Sequence, residues 1–276
     1  MRCINFDKEF ERYLSVWMKE HAKEYRNYDE MEAAMPDVYA AFLDTPMAWL
    51  SGARPGEYFT RFDNPRQLVN WMEDYFKQRI PVPDMLLNRI AELGLAAEEP
   101  LMNLLNKERA TQEIRMAVIT LLREIESLAP MEYYLGLQAA RQDGEDELAD
   151  NALDSLSSMG ERAVPAMRAA LALSSEDGQE AMLTVLSDYP GDEQVLQTAL
   201  SLLQSNRERA AVLAGCLGKL GDERALPALI ALAASEETPY LDYIELRSAI
   251  EALGGDAPER DFDAEDPAYE AMRSMQ

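Results

Sequence analysis

The sequence predicts an all-α protein: about six antiparallel helix pairs in a repeating array, led by an aromatic-rich helical region. Three observations predict it. The stretch LGKLGDERALPALIAL, Leu217 to Leu232, reads as a helix end, a tight turn and a helix start. Its pattern recurs every 30 to 34 residues. The composition also shifts along the chain: 15 of its 22 aromatic residues precede residue 81.

The aromatic region, residues 1–81, comes first. Phe6, Phe10, Tyr13, Leu14, Trp17, His21 and Tyr25 step by three or four, which makes one face of a long amphipathic helix. Met31, Ala34, Met35, Val38, Phe42 and Leu43 mark a second helix. Residues 45–65 are punctuated by Pro and Gly and read as an ordered loop. Asn64 then suits an N-cap and Pro65 a first helical position. Val69, Met72, Tyr75, Phe76 and Ile80 give the helix that follows its apolar face, and Pro81 to Asp84 break it. Two roles fit this region. It is a cap over the exposed end of a repeat array, or Trp49, Tyr58 and Phe59 form a binding patch on the long loop.

The repeating part covers residues 82–276. In its clearest copy, Leu217 and Leu220 share a helix face and Gly221 follows, where a left-handed cap is favoured. Asp222 and Glu223 favour the positive end of a new helix. Pro227 is tolerated only in that helix's first turn. The same order appears from Leu156 to Leu171, and in part at Ile90 to Leu105, Leu121 to Leu135, Leu186 to Leu200 and Ala249 to Phe262. The last apolar residues of the first helices are then Leu93, Ile125, Met159, Tyr189, Leu220 and Leu253. A period of that length over several copies is the signature of a solenoid. The copy at Ile125 lacks the glycine. In the last copy a first helix runs near Tyr243 to Leu253; after an acidic loop, Asp266 and Pro267 open a short final helix with Tyr269 and Met272 inward.

The LGDERALPALIAL module resembles the short HEAT-like repeats of the phycobilin-lyase type. The resemblance covers about residues 82–276 and implies a right-handed α-α superhelix. It carries over no bilin site, because no specific residues match one, and the repeat type occurs in proteins of many functions.

Charge excludes one class of partner. The net charge is −25, and −22 of it falls after residue 80. From Gln142 to Glu193 there are 13 acids against Arg162 and Arg168. Such a field repels phosphate backbones, so no nucleic-acid partner is expected; the HEAT-like DNA glycosylases, by resemblance, would need a basic groove. No run of 18 apolar residues occurs, so no membrane span is expected. The N-terminus is charged and has no apolar signal-peptide centre, and Cys3 and Cys216 do not make a disulfide framework. Both points fit a cytoplasmic protein.

Motifs for chemistry fail one by one. His21 is the only histidine and lies on an apolar helix face, as a half-buried structural residue would. Two isolated Cys and one His do not make a zinc site. Phosphate-cradling glycine loops and a nucleophile elbow do not occur. The acidic runs from Asp261 and from Asp143 do not place Gly at the sixth position of a calcium loop. No cofactor is expected.

In HEAT-like arrays the second helices line the concave face. The positions here are Glu132, Tyr133 and Gly136; Ala166 and Ala169; Thr198 and Ser201; Ala228 and Ala231. Most are small and neutral. The expected function is therefore a non-enzymatic protein–protein interaction or scaffold module. Its partner is a protein or peptide with basic flanks, contacted by Tyr133, Thr198 and Ser201. The alternative is small-ligand or cofactor handling, lyase-like or chaperone-like, at a pocket between the aromatic region and the first repeats.

Overall fold

Helical periodicity organises the described residues. The computed structural model describes residues 3–142, 146–262 and Tyr269. Among the described residues it holds fifteen α-helices and no strand. They fall into two compact units, Met1–Pro130 and Met131–Gln276. The boundary expected at residues 81 and 82 lies inside the first unit, where helix α4 (Pro65–Gln78) packs on both α5 (Asp84–Glu92) and α6 (Glu98–Leu105).

The first unit begins with α1 (Phe6–His21), α2 (Tyr28–Ala33) and α3 (Met35–Asp44). On α1 the residues Phe6, Phe10, Tyr13, Leu14, Trp17 and His21 are buried or half-buried, as their spacing requires. The helix stops at His21, short of Tyr25, and a 3-10 turn, Ala22–Glu24, follows. His21 stacks on Trp17 at 5.2 Å between ring centroids, and its Nδ1 lies 3.1 Å from the Glu24 carboxylate. The segment expected as one helix is two, divided at Ala34. Pro36 has no N–H to donate to the Glu32 carbonyl, so the ladder is interrupted there.

Residues 45–64 form the expected ordered loop, with 3-10 turns at Ala48–Leu50 and Pro55–Glu57. Asn64 caps α4 by accepting the Gln67 N–H at 3.2 Å. Leu68, Val69, Trp71, Met72 and Tyr75 bury one side of that helix. The Tyr75 hydroxyl donates to the Ile4 carbonyl at 3.1 Å and accepts the Ile4 N–H at 3.3 Å, which ties the N-terminal segment to α4. Helix α7 (Gln112–Glu124) completes the unit and packs on α5 and α6.

The second unit holds α8 (Met131–Ala139), α9 (Glu147–Ser158), α10 (Val164–Leu171), α11 (Glu176–Leu186), α12 (Glu193–Ser205), α13 (Ala210–Leu220), α14 (Leu226–Ala233) and α15 (Tyr240–Ala252). Here α8 packs on α10 and α10 on α12; α9 packs on α11, α11 on α13 and α13 on α15. At Gly178 of α11 the helix runs close against α8. An added Cβ there would stand 2.0 Å from the Gln138 carbonyl oxygen of α8.

The expected junctions mark real helix ends. Leu93, Ile125, Met159 and Leu253 each immediately follow a helix, and Leu220 closes α13. Tyr189 stands three residues past Leu186, the end of α11. Pro165 and Pro227 sit in the first turns of α10 and α14. The expected last helix, with Asp266, Pro267 and Met272, lies outside the described residues, as does most of the acidic run from Asp261 and the first part of that from Asp143. Tyr269 is described; its ring lies 5.2 Å from that of Tyr240 and 5.8 Å from that of Phe262.

Candidate functional site

Of the three loop aromatics, Phe59 is closed to a ligand, Tyr58 is half-buried and Trp49 is exposed. Phe59 is fully buried, with its ring 5.1 Å from Trp71, 5.0 Å from Tyr58 and 5.8 Å from Phe6. Trp49 is 39% exposed but leans edge-on against Phe6 at 5.8 Å. Phe59 is the buried centre of this cluster: aromatic pairs at such distances bury large areas in edge-to-face geometry.

In the second unit the expected contact residues stand on helices of one row. Tyr133 is on α8, and Thr198 and Ser201 are on α12, with α10 packed on both helices. Tyr133 and Thr198 are half-buried and Ser201 is exposed. The Tyr133 ring meets the buried Tyr134 edge-on at 6.3 Å between centroids. None of Glu132, Gly136, Ala166, Ala169, Ala228 and Ala231 is buried. The cause is periodicity: the alternate positions, including Tyr134, Met167, Ala199 and Leu229, fill the core. This face therefore offers solvent a band of small or neutral side chains, interrupted by Glu132.

The first unit contains a concave site. A cleft of about 760 Å3 opens between the end of α4, residues 80–82 and the start of α7. That volume is in the range of small-molecule pockets. Its apolar surface includes Phe76, Ile80 and Ile114. Four cations line it: Lys77 and Arg79 from α4 and its cap, Lys107 and Arg109 from the turn after α6. Two carboxylates, Glu73 and Glu113, line it as well.

The charges divide into paired and unpaired. Glu73 is 8% exposed and accepts from both Lys107 and Lys77, the latter at 3.0 Å. Burial alone would push its carboxyl up; the two lysine hydrogen bonds outweigh that and hold it below the ordinary range. Glu113 is exposed near the start of α7, and hydrogen bonds from Thr111 and its own backbone lower its carboxyl too. Arg79 and Arg109 are exposed and make no ion pair among the described residues. Arg79 is moreover held at φ 54°, as the left-handed cap of α4.

The cleft lies between the aromatic region and the first repeats, where the alternative reading of the sequence put a pocket, but the charged residues that line it were not foreseen. A signal was present: Lys77-Gln78-Arg79 and Lys107-Glu108-Arg109 are the same basic pattern 30 residues apart, close to the repeat period. Packing of α4 on α6 brings the two into one site. Among the described residues no three His, Cys, Asp or Glu side chains are grouped to hold a metal ion, and no helix is long and apolar enough to cross a membrane. Both cysteines are free and buried, and burial raises their thiol pKa values.

Compared with protein-family models, with curated proteins and with solved structures, the chain matches none.

Proposed function

We propose that the chain is a non-enzymatic docking module built from HEAT-like repeats, with a right-handed superhelical array over its repeating part. One observation carries the reading. Successive helices of one row, α8, α10 and α12, present mostly small or neutral side chains to solvent, broken by the exposed Glu132 and Glu193, while acids dominate the segments around them. A largely neutral strip between acidic rims suits a protein partner, a helix or extended peptide with basic flanks. Tyr133, Thr198 and Ser201 are the proposed contacts, with Tyr133 the aromatic anchor. The two free, buried thiols support a reducing, cytoplasmic setting.

Rim charges act mainly on encounter and are screened within roughly 8 Å at physiological salt. Affinity capture from native cytosol at low and high salt, with Tyr133→Ala in parallel, tests the reading. The expected result is one dominant protein partner that is lost at high salt and with the substitution. A partner that binds equally to wild type and Tyr133→Ala at both salt levels contradicts the proposed face.

A further inference from the structure

The cleft of the first unit goes beyond the docking reading and is independent of it. The geometry points to a binding site for a small amphipathic oxyanion, a phosphate or carboxylate carried on a flat apolar body. Three observations lead there. The first is size: about 760 Å3 holds a ligand of drug-like dimensions. The second is the balance of charge. Glu73 engages Lys77 and Lys107, so those lysines are already partnered. Arg79 and Arg109 both line the cavity, and neither pairs with a carboxylate among the described residues. Guanidinium forks match carboxylate and phosphate oxygens in a bidentate way that ammonium groups cannot. The third is the apolar surface beside them: Phe76, Ile80 and Ile114 would cover the body of a ligand whose charged end meets the arginines.

The overall charge of −25 does not oppose this. Acids farther from the cleft than a Debye length, about 8 Å at physiological salt, are largely screened, so the local arginines decide. The net charge instead disfavours large anionic surfaces, such as a nucleic acid or an anionic bilayer, whose charges would meet the acidic exterior as well. A small, singly anchored anion escapes that repulsion. Glu113 is the one exposed carboxylate at the cavity and should oppose the ligand.

The test uses the full chain and 1-naphthyl phosphate as the probe, followed by isothermal titration, with 1-naphthol and inorganic phosphate as the two halves. The probe should saturate one site, and each half alone should bind at least about tenfold more weakly, since each forfeits one of the two contacts. Arg79→Gly and Arg109→Ala should each weaken the probe by about tenfold, and Glu113→Gln should tighten it by about threefold. Arg79→Gly also guards against a folding artefact. Glycine accepts the left-handed cap that Arg79 occupies, so its thermal midpoint should hold or rise while binding falls. Failure of the probe to bind would overturn the assignment. So would equal binding by the Arg79→Gly/Arg109→Ala double variant, or naphthol binding as tightly as its phosphate. None of these outcomes bears on Tyr133 or the second unit, so this site and the docking face fail separately.

Discussion

Glu126 and Gly221 hold the same junction position. Each follows the end of a first helix with positive φ, 54° and 68°, and each donates its N–H to the carbonyl three residues back, Arg123 at 3.0 Å and Gly218 at 3.3 Å. Glutamate carries a Cβ penalty in that conformation that glycine does not. Glu126 is exposed and makes no ion pair among the described residues. Glu126→Gly should therefore stabilise the chain by about 1 kcal/mol. Gly221→Ala should cost about 1 kcal/mol, entirely conformational, because an added Cβ meets nothing within 4 Å. Urea midpoints with unchanged slopes check both.

Gly178→Ala should be far more damaging. Its Cβ would meet the Gln138 carbonyl oxygen at 2.0 Å, and backbone cannot step aside as a side chain can. A loss of about 3 kcal/mol is expected. Gly215, in α13 with nothing within 4 Å of an added Cβ, should gain about 1 kcal/mol on the same substitution, from helix propensity alone. Thermal midpoints that move in the same direction for the two alanines would refute the packing of α11 on α8.

Glu73 sets an acid dependence. Its carboxyl is held below the ordinary range in the folded chain, so it binds its proton at lower pH folded than unfolded. Its stabilisation is complete above the ordinary carboxylate pKa and is lost as pH falls through the depressed folded value. Glu73→Gln should cost about 1 kcal/mol near neutrality, because Lys77 and Lys107 lose their shared partner. The same variant should show a shallower loss between neutrality and about pH 3. Denaturation midpoints at the two pH values give the comparison.

Much of the fold was legible from residue spacing. The half-buried face of α1, the Asn64 cap, the break at Pro81 to Asp84 and the helix ends at Leu93, Ile125, Met159, Leu220 and Leu253 all follow from local rules of periodicity, capping and proline chemistry. The left-handed role of Glu126 was hidden because the junction lacked its glycine. The cations of the cleft were hidden for a different reason. Lys77 and Arg79 read alone as the basic end of one helix, and Lys107 and Arg109 as a charged turn; only tertiary packing joins them. Among the loop aromatics, Phe59 misled in the opposite sense, since its burial depends on Phe6 and Trp71, which are distant in sequence.

Those aromatics now predict a stability contrast. Phe59→Ala should cost about 3–5 kcal/mol, as the removal of a fully buried ring does. Trp49→Ala, which removes a side chain 39% exposed, should cost distinctly less, about 1 kcal/mol. Equal costs, measured by urea denaturation, would mean that Phe59 is not the centre of the cluster.

The docking claim is tested most directly by placing a photo-crosslinking residue, benzoylphenylalanine, at single positions and irradiating in native cytosol. Ser201 is exposed on α12 within the proposed face, and Val212 is exposed on α13, a helix of the other row. The account predicts one discrete protein adduct from position 201 that fades as salt is raised, and none from position 212. Adducts of the same protein from both positions, or from 212 alone, would contradict it.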